Sequence, residues 1–304
     1  MMLVLATLLL PAASPAIRPF TAVLDRPHSL TVAYGGAIAD DRLWLSGPRV
    51  VRTTLDGKVD RDWDMPTSSV APAGDDCWAA QRFGDGQIHF LSAKGRQRFP
   101  LGSDPVVCRC RASSDSIALA GRTLWLLKNG SARRLSSQRV PSGQVLLDAV
   151  TRDVLAIGGE DAQGKHANLY LRTGGRILNV RIPGSSPLAV LRATPKIAFA
   201  LVQPTLGSKT AILYRVDLPS AHAQVIAKIQ KDYRETLGWD NAAKSVYLNY
   251  SDGECSRVES LSTNGKVLWI SKRFDEFVTG ISVADNPRKI YCVTKAGPIY
   301  LLAR

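Results

Sequence analysis

Seven short segments of the chain share one pattern of polar and apolar positions, in which a polar residue is followed by three mostly apolar ones. The first copy is Arg42-Leu43-Trp44-Leu45, and the last is Lys289-Ile290-Tyr291-Cys292. The second positions of the copies, which are separated by 34, 40, 37, 43, 49 and 44 residues, are Leu43, Cys77, Ile117, Val154, Ile197, Val246 and Ile290. This spacing is typical of the four-stranded blades of a β-propeller.

A second apolar strand follows each copy and ends in a tight turn. Five of these turns contain a glycine, at Gly57, Gly95, Gly130, Gly175 and Gly265. Glycine adopts the positive φ that a hairpin turn requires. The residues after the turn, as at 59–61, 96–99 and 177–182, alternate as expected for a half-solvated outer strand. Together with an inner strand, each repeat therefore supplies four strands.

The two ends of the chain are expected to meet in one blade. The seventh repeat stops at Arg304 after its third strand, and residues 20–24 precede the first blade without a partner of their own. An N-terminal strand placed beside the last blade would remove an open sheet edge. We therefore predict an all-β, seven-bladed β-propeller of four-stranded blades whose last blade is closed by the N-terminal strand. Two β-sandwiches side by side are the alternative, which the even spacing disfavours.

One repeat carries a recognisable sequence motif. Residues 261–269, Leu-Ser-Thr-Asn-Gly-Lys-Val-Leu-Trp, resemble the repeat of quinoprotein-like propellers, and residues 55–59 with Trp63 are a weaker copy. The chain is also similar in period to WD40-like propellers, although their Gly-His pair and Trp-Asp strand end do not recur. The resemblance implies the fold of the whole mature chain. It carries no set of cofactor-binding residues, so we expect no cofactor.

The N-terminal segment resembles a secretory signal. Residues 1–10 form an apolar run, and residues 11–16 are small residues and prolines, which suit cleavage after Ala16. An apolar first strand or a short membrane anchor are the alternatives, but ten apolar residues are too few to span a bilayer. We expect a signal peptide at 1–16, one propeller domain at 17–304, and a periplasmic or secreted protein with no membrane-spanning segment.

Five cysteines leave at least one without an intramolecular partner. Cys77 is expected near the same rim as Cys108 and Cys110, and Cys255 near that of Cys292, so bridges between blades are one interpretation. Small buried apolar side chains are the other, and the pairing stays open. The four histidines are scattered, and none stands at ligand spacing from a cysteine, so we expect no metal site.

The formal net charge is +13, with basic residues in every blade. Such a surface attracts anions, although a generally basic composition in the parent lineage would give the same excess. There is no RNA-binding signature and no strand that interleaves aromatic and basic residues. We therefore expect a protein or an anionic glycan or polymer as partner, no nucleic acid, and a monomer.

The catalytic motifs that the chain approaches are all incomplete. Residues 159–166 match a phosphate-binding loop until His166 replaces the required hydroxyl, and they join two strands rather than opening a helix. Residues 60–64 begin like a calcium loop, but Met65 and Ala71 stand where its glycine and closing glutamate belong. A Gly-x-Ser-x-Gly elbow, a His-Glu-x-x-His motif and a Cys-x-x-Cys pair are absent from the sequence. We predict no catalytic residue.

Loop length identifies one candidate site. The loops between the second and third strands are long in three consecutive blades, at 157–168, 203–210 and 249–257, and loops on a rigid scaffold commonly carry binding groups. Neutral length variation is the alternative. The candidate binding residues in these loops are Glu160, Asp161, Lys165, His166, Lys209, Asp252, Glu254 and Arg257. The inner strands offer a second set at the mouth of the channel, namely Arg109, Arg111, Asp148 and Arg192.

Two functions are consistent with these features. The first is a non-catalytic exported scaffold that binds a protein or an anionic polymer of the cell envelope. The second is a propeller hydrolase, lactonase or lyase that acts at the channel mouth. Its candidate carboxylates are Asp104, Asp148, Glu235 and Glu276, which form no recurrent set. Basic residues outnumber acidic ones at this place, which disfavours a cation site. We favour the scaffold.

Overall fold

The protein is a closed ring of seven β-sheets. The computed structural model describes residues 16–20, 35–39, 42–55, 58–67, 69–74, 78–81, 84–103, 105–113, 115–136, 139–141, 143–161, 163, 166–229, 233–251, 256–285, 288–294 and 299–303. All its regular elements in these ranges are strands, which form seven four-stranded antiparallel sheets. The predicted all-β propeller of seven four-stranded blades is confirmed.

The strands of each blade follow the chain from the inside of the ring to the outside. The first three blades consist of β2 (Gly35–Ala39), β3 (Arg42–Ser46), β4 (Val50–Thr54) and β5 (Val59–Trp63); β6 (Ser69–Pro72), β7 (Trp78–Gln81), β8 (Gln87–Ser92) and β9 (Gly95–Pro100); and β10 (Pro105–Arg109), β11 (Ser116–Ala120), β12 (Thr123–Lys128) and β13 (Ser131–Arg134).

The fourth to sixth blades have longer strands. They consist of β14 (Gln144–Thr151), β15 (Val154–Glu160), β16 (Ala167–Thr173) and β17 (Arg176–Ile182); β18 (Ser186–Thr194), β19 (Ile197–Gln203), β20 (Ala211–Asp217) and β21 (His222–Ile229); and β22 (Tyr233–Asp240), β23 (Ser245–Ser251), β24 (Ser256–Ser262) and β25 (Val267–Ile270). The repeated sequence pattern forms the second strand of each blade.

The seventh blade joins the two ends of the described chain. It consists of β26 (Val278–Asp285), β27 (Arg288–Thr294), β28 (Ile299–Ala303) and, as its outer strand, β1 (Ala16–Phe20). β1 runs antiparallel to β28, with Ala16 opposite Ala303 and Phe20 opposite Ile299. Closure by the N-terminal strand is confirmed, but that strand lies at 16–20 rather than at the predicted 20–24. Residues 21–24 lie outside the described residues. Pro19 is tolerated because an outermost strand needs no ladder partner on its free side.

The hydrophobic core lies between the blades. The buried apolar residues of the described chain form seven clusters, and each cluster joins two neighbouring blades. Leu43 and Leu45 of the first blade, for example, pack with Tyr291 and Val293 of the seventh. Each inner strand also contacts the inner strand of the next blade, and β26 contacts β2. Because apolar side chains alternate to both faces of every blade, the ring forms one continuous domain.

The described cysteines act as packing residues. Cys110 is buried between the third and fourth blades and Cys292 between the sixth and seventh, and neither forms a disulfide with a described residue. Cys108 is half-buried and also a free thiol. The proposed partners Cys77 and Cys255 lie outside the described residues, so bridges to them stay a prediction.

Candidate functional site

The connections between the second and third strands lie on one rim of the ring, which we call the loop rim. In the fourth, fifth and sixth blades they are 161–166, 204–210 and 252–255, rather than the predicted 157–168, 203–210 and 249–257. The prediction of long loops in three consecutive blades was therefore wrong for the sixth blade, whose connection is shorter than 82–86 of the second. Glu160 is the last residue of β15, and Arg257 belongs to β24. The strands extend to these positions because their backbones continue to pair, Glu160 with Ala167 and Arg257 with Tyr250.

The loop of the fourth blade is an ordered hairpin connection. The backbone N–H of Asp161 donates to the carbonyl of His166 at 2.8 Å, and its Oδ1 accepts the N–H of Gln163 at 3.2 Å. The carbonyl of Glu160 accepts the side-chain amide of Gln144 at 3.2 Å. The loop joins two paired strands, so the hairpin interpretation of residues 159–166 is confirmed. Lys165 lies outside the described residues.

The loop of the fifth blade presents an apolar side chain to solvent. Leu206 is 84% exposed, and the neighbouring Lys209 is also exposed. The loop is held by local hydrogen bonds, from the side-chain amide of Gln203 to the carbonyl of Ser208 at 2.8 Å and from the N–H of Thr210 to the Ser208 hydroxyl at 3.0 Å. Leu206 is not among the predicted site residues, because those were charged or histidine side chains and leucine is apolar.

The sixth blade contributes one described member of the predicted site. Arg257 is half-buried, and its Nε is enclosed without a hydrogen-bond partner among the described residues. Asp252 and Glu254 lie outside the described residues. The five described members of the eight therefore occupy one rim across three adjacent blades, and the loops of the fourth and fifth blades are each ordered by local hydrogen bonds. The arrangement is a surface and not a pocket with converging side chains.

Three of the four channel residues meet near the opposite rim, where the inner strands end. Arg111 Nη1 donates to Asp148 Oδ1 at 2.6 Å, and Asp148 Oδ2 accepts the backbone N–H of Arg192 at 2.5 Å. Arg111 Nη2 donates to the carbonyl of Arg192. We call this group the inter-blade clasp, because its members come from the third, fourth and fifth blades.

The clasp compensates for an irregularity in β18. The ladder between β18 and β19 shifts register between Leu191 and Thr194, so the backbone of Arg192 has no regular partner in β19. Asp148 and Arg111 provide an acceptor for its N–H and a donor for its carbonyl. Buried backbone groups that lose their ladder bonds need such replacements. The clasp is therefore structural, and its carboxylate and one guanidinium already pair with each other.

The side chain of Arg192 lies between blades rather than in the channel. It is fully buried, and its Nη2 donates to Thr173 Oγ1 at 2.8 Å and to the Pro195 carbonyl at 3.0 Å. Burial lowers the pKa of Arg192 to about 10, against the opposing effect of Asp148. Arg109, the fourth channel residue, is half-buried at the end of β10 and takes no part in the clasp hydrogen bonds given above.

The carboxylates that a hydrolase would need do not converge. Asp148 is engaged in the clasp at one rim, whereas Glu276 precedes β26 at the loop rim. Burial, followed by the nearby Asp275 and Glu276, raises the pKa of Tyr300. Asp104 lies outside the described residues, as does the side chain of Glu235. Across the described ranges, no three His, Cys, Asp or Glu residues are placed to hold a metal ion.

A polar triad in the second blade was missed by the sequence analysis. Arg96 Nε donates to His89 Nδ1 at 2.8 Å, and His89 Nε2 lies 2.7 Å from Asp85 Oδ2. Because arginine only donates, Nδ1 carries no proton and the Nε2–H donates to Asp85. Burial lowers the pKa of His89, opposed by the hydrogen bond to Asp85. The i,i+4 spacing of Asp85 and His89 is the one signal that the sequence offered.

Seven four-stranded antiparallel sheets in a closed ring make the protein a seven-bladed β-propeller. No protein-family profile matches the chain, and no curated protein is significantly similar to it. Among solved structures, the WD40 repeats of RRP9 match with a TM-score of 0.72 and 10% identity, covering 96% of this chain and 99% of that one.

Two further structures are similar to nearly the same extent. U3-55K matches with a TM-score of 0.69 and 9% identity over 95% of this chain and 99% of its own. A chain of Kuenenia stuttgartiensis hydrazine synthase matches with a TM-score of 0.69 and 10% identity, over 92% and 99%. At this identity the likenesses show the fold alone. In the described part of the chain, no helix has the length and apolar character needed to cross a membrane.

Proposed function

We propose that the chain is a non-catalytic binding scaffold that engages a protein partner through the loop rim of its fourth to sixth blades. The observation that carries this proposal is Leu206, which is 84% exposed at the tip of an ordered loop. A large apolar side chain held in water by a structured loop provides an anchor of the kind that binding surfaces use.

The polar residues around this anchor favour a protein over a polyanion. Lys209 is basic, whereas Glu160 and Asp161 on the adjacent blade are acidic. A mixed polar rim around an apolar centre is typical of protein interfaces, while a polyanion would be repelled by the two carboxylates. The fold likeness to WD40 repeats is consistent with this role but does not identify a partner.

The experiment compares two matched double variants. Leu206→Ser with Lys209→Ser removes the anchor and its basic neighbour. Lys266→Ser with Val267→Ser removes another exposed basic and apolar pair, from the sixth blade, where Val267 is 47% exposed on the outer strand. Both proteins and the parent are used as affinity baits in an envelope extract, and captured partners are then purified and titrated.

We expect a partner that the parent and the Lys266/Val267 variant retain and that the Leu206/Lys209 variant binds about tenfold more weakly, a loss of about 1.4 kcal/mol. If the two variants bound the partner equally well, the loop rim would not be the interface. Failure of the parent to retain any partner would contradict the scaffold function itself.

We also propose that the chain is exported and cleaved after Ala16, so that it works in the periplasm or outside the cell. The cleavage point is followed directly by the closing strand, and cleavage there leaves Ile17–Phe20 to pair with β28. N-terminal sequencing of protein from the envelope fraction is expected to begin at Ile17. A cytosolic protein that retains Met1 would contradict export.

A further inference from the structure

The outer edges of the second, third and fourth blades are basic and contain no acidic residue. The relevant segments, 94–102, 128–141 and 174–185, each include the turn before the outer strand, the strand itself and its exit. Their nine basic residues are Lys94, Arg96, Arg98, Lys128, Arg133, Arg134, Arg139, Arg176 and Arg181. Because β9, β13 and β17 belong to consecutive blades, these charges follow the circumference of the ring.

The first and fifth blades pair several of their arginines with nearby carboxylates. Arg42 and Arg52 both pair with Asp60 of the first outer strand, at 3.2 and 2.8 Å, and Arg49 pairs with Asp62 at 2.8 Å. In the fifth blade, Arg215 pairs with Asp217 at 2.7 Å. The outer edges of the second to fourth blades, with nine basic residues and no acidic one, therefore hold a large share of the net charge of +13.

Four arginines of these edges are available to a ligand. Arg98, Arg133, Arg176 and Arg181 are exposed, and none of them forms an ion pair with a described residue. We call these four residues the arginine belt.

Protection of the sheet edges does not account for the belt. Charged residues on outer strands hinder edge-to-edge association. Either sign of charge would serve that purpose, and β5 uses Asp60 and Asp62. Each of β9, β13 and β17 carries two arginines and no acidic residue, whereas β21 carries one lysine and no arginine. The strand β25 (Val267–Ile270) is uncharged, although basic residues flank it at Lys266, Lys272 and Arg273. The pair of arginines that recurs on three neighbouring outer strands therefore requires another explanation.

The guanidinium groups of the belt favour an extended anionic ligand that does not depend on stacking against aromatic side chains. We propose that the arginine belt binds an acidic polysaccharide whose carboxylate or sulfate groups pair with successive blades. Guanidinium groups pair with such oxyanions in bidentate fashion. Neighbouring sheets lie about 10 Å apart or more at the outside of a ring, so the charges form a track rather than a pocket.

Single-stranded nucleic acid fits this surface less well. Base recognition without a groove depends on exposed aromatic side chains. The three segments contain one aromatic residue, Phe99, which is half-buried and packs edge-on against Trp125 at 6.1 Å between ring centroids. The belt therefore provides charge without a stacking platform, which suits a saccharide polymer.

The test uses heparin as the probe and two triple variants of the full chain. The belt variant carries Arg98→Gln, Arg133→Gln and Arg181→Gln. The control variant carries Arg61→Gln, Lys196→Gln and Lys266→Gln, which are exposed on other blades and change the net charge equally. Thermal melting verifies that both variants fold like the parent, and titrations over a range of salt concentrations give Kd and its salt dependence.

We expect the belt variant to bind heparin about tenfold or more weakly and to reduce the log–log salt slope by about two, since each contact contributes about 0.7–0.9. The control should change Kd by less than about twofold. The Leu206/Lys209 variant should bind heparin like the parent, which separates this surface from the loop rim.

Three results would overturn the proposal. Equal weakening in both triple variants would show attraction to net charge alone. The absence of heparin binding by the parent at about 0.15 M salt would remove the site. Tighter, belt-dependent binding of a DNA strand of equal charge would assign the surface to nucleic acid instead.

Discussion

The carboxylate of Asp148, on the inner strand of the fourth blade, accepts the backbone N–H of Arg192, on the inner strand of the fifth, at 2.5 Å. A side chain of one blade thus completes the hydrogen bonding of the next blade's backbone at the bulge in β18. Arg111 of the third blade binds the same carboxylate at 2.6 Å, so one acidic residue links three blades. Other neighbouring blades are joined by apolar packing and by single hydrogen bonds, such as that from Tyr291 Oη to the Leu55 carbonyl at 3.1 Å. The clasp differs because one carboxylate joins three blades.

Replacing Asp148 with Asn should destabilise the protein by about 2–3 kcal/mol, because Arg111 then faces a neutral amide in a partly buried position. The matched control is Asp62→Asn. Asp62 pairs with Arg49 at 2.8 Å on the exposed outer edge of the first blade, so its loss should cost less than about 1 kcal/mol. Urea unfolding measures both. Equal losses would show that the clasp adds nothing beyond an ordinary surface ion pair.

The ring could be predicted from the sequence because its determinant is periodic. The repeat of Leu43, Ile117, Val246 and their counterparts reports the second strand of each blade, and Leu43, Ile117, Val246 and Ile290 are buried as expected. The clasp could not be predicted. A strand's alternation assigns each side chain to a face only while the register is regular, and the bulge between Leu191 and Thr194 interrupts that rule.

The candidate sites show the same limit. The polar residues Glu160 and Arg257 are predicted in loops from the sequence, but in the structure backbone pairing continues through both. The contact of His89 with Arg96 depends on the register of the β8–β9 hairpin, in which His89 lies opposite Arg98. Hairpin register is set by turn geometry and packing. The sequence alone gives neither, so it does not show that Arg96 contacts His89.

Removing Ile17–Phe20 from the mature chain should open the seventh blade. These residues pair with Ile299–Leu302, and their loss exposes the edge of β28. At about 1 kcal/mol for each lost backbone hydrogen bond, we expect a loss of about 2–4 kcal/mol. The free edge should also promote self-association. Chemical unfolding and size-exclusion chromatography test both effects, and a truncated chain as stable and monomeric as the parent would disprove closure by β1.

The stability of the protein should fall below neutral pH through His89. Burial places its folded-state pKa below the ordinary value of 6.5, so the unfolded chain binds the proton more readily. The contribution of His89 is therefore fully present above pH 6.5 and is lost as the pH falls from there through the folded-state pKa. Protonation of Nδ1 also removes the acceptor for Arg96.

The corresponding measurement is the free energy of unfolding at several pH values for the parent, His89→Gln and His222→Gln. His222 is exposed on β21 and serves as the control. The parent and His222→Gln should lose up to about 1.4 kcal/mol per pH unit within this window through His89, and His89→Gln should not. Parallel curves for all three proteins would remove His89 as the origin of the pH dependence.

The buried thiols should resist alkylation while the ring is folded. Burial raises the pKa of Cys110 to about 12, and burial likewise raises the pKa of Cys292. The thiolate is the reactive form, and at pH 8 only about one Cys110 side chain in 10⁴ carries it. A variant with Ser at positions 77, 108 and 255 should therefore take up no maleimide in native buffer and two equivalents in urea.

A second variant that retains Cys108 as its single cysteine provides the comparison. Cys108 is half-buried, but burial and the nearby Asp148 raise its pKa well above the ordinary value, so it should also be labelled slowly in native buffer. Rapid labelling of Cys110 or Cys292 would mean that the third–fourth or sixth–seventh blade interface opens in the native state, which is inconsistent with cores that exclude water.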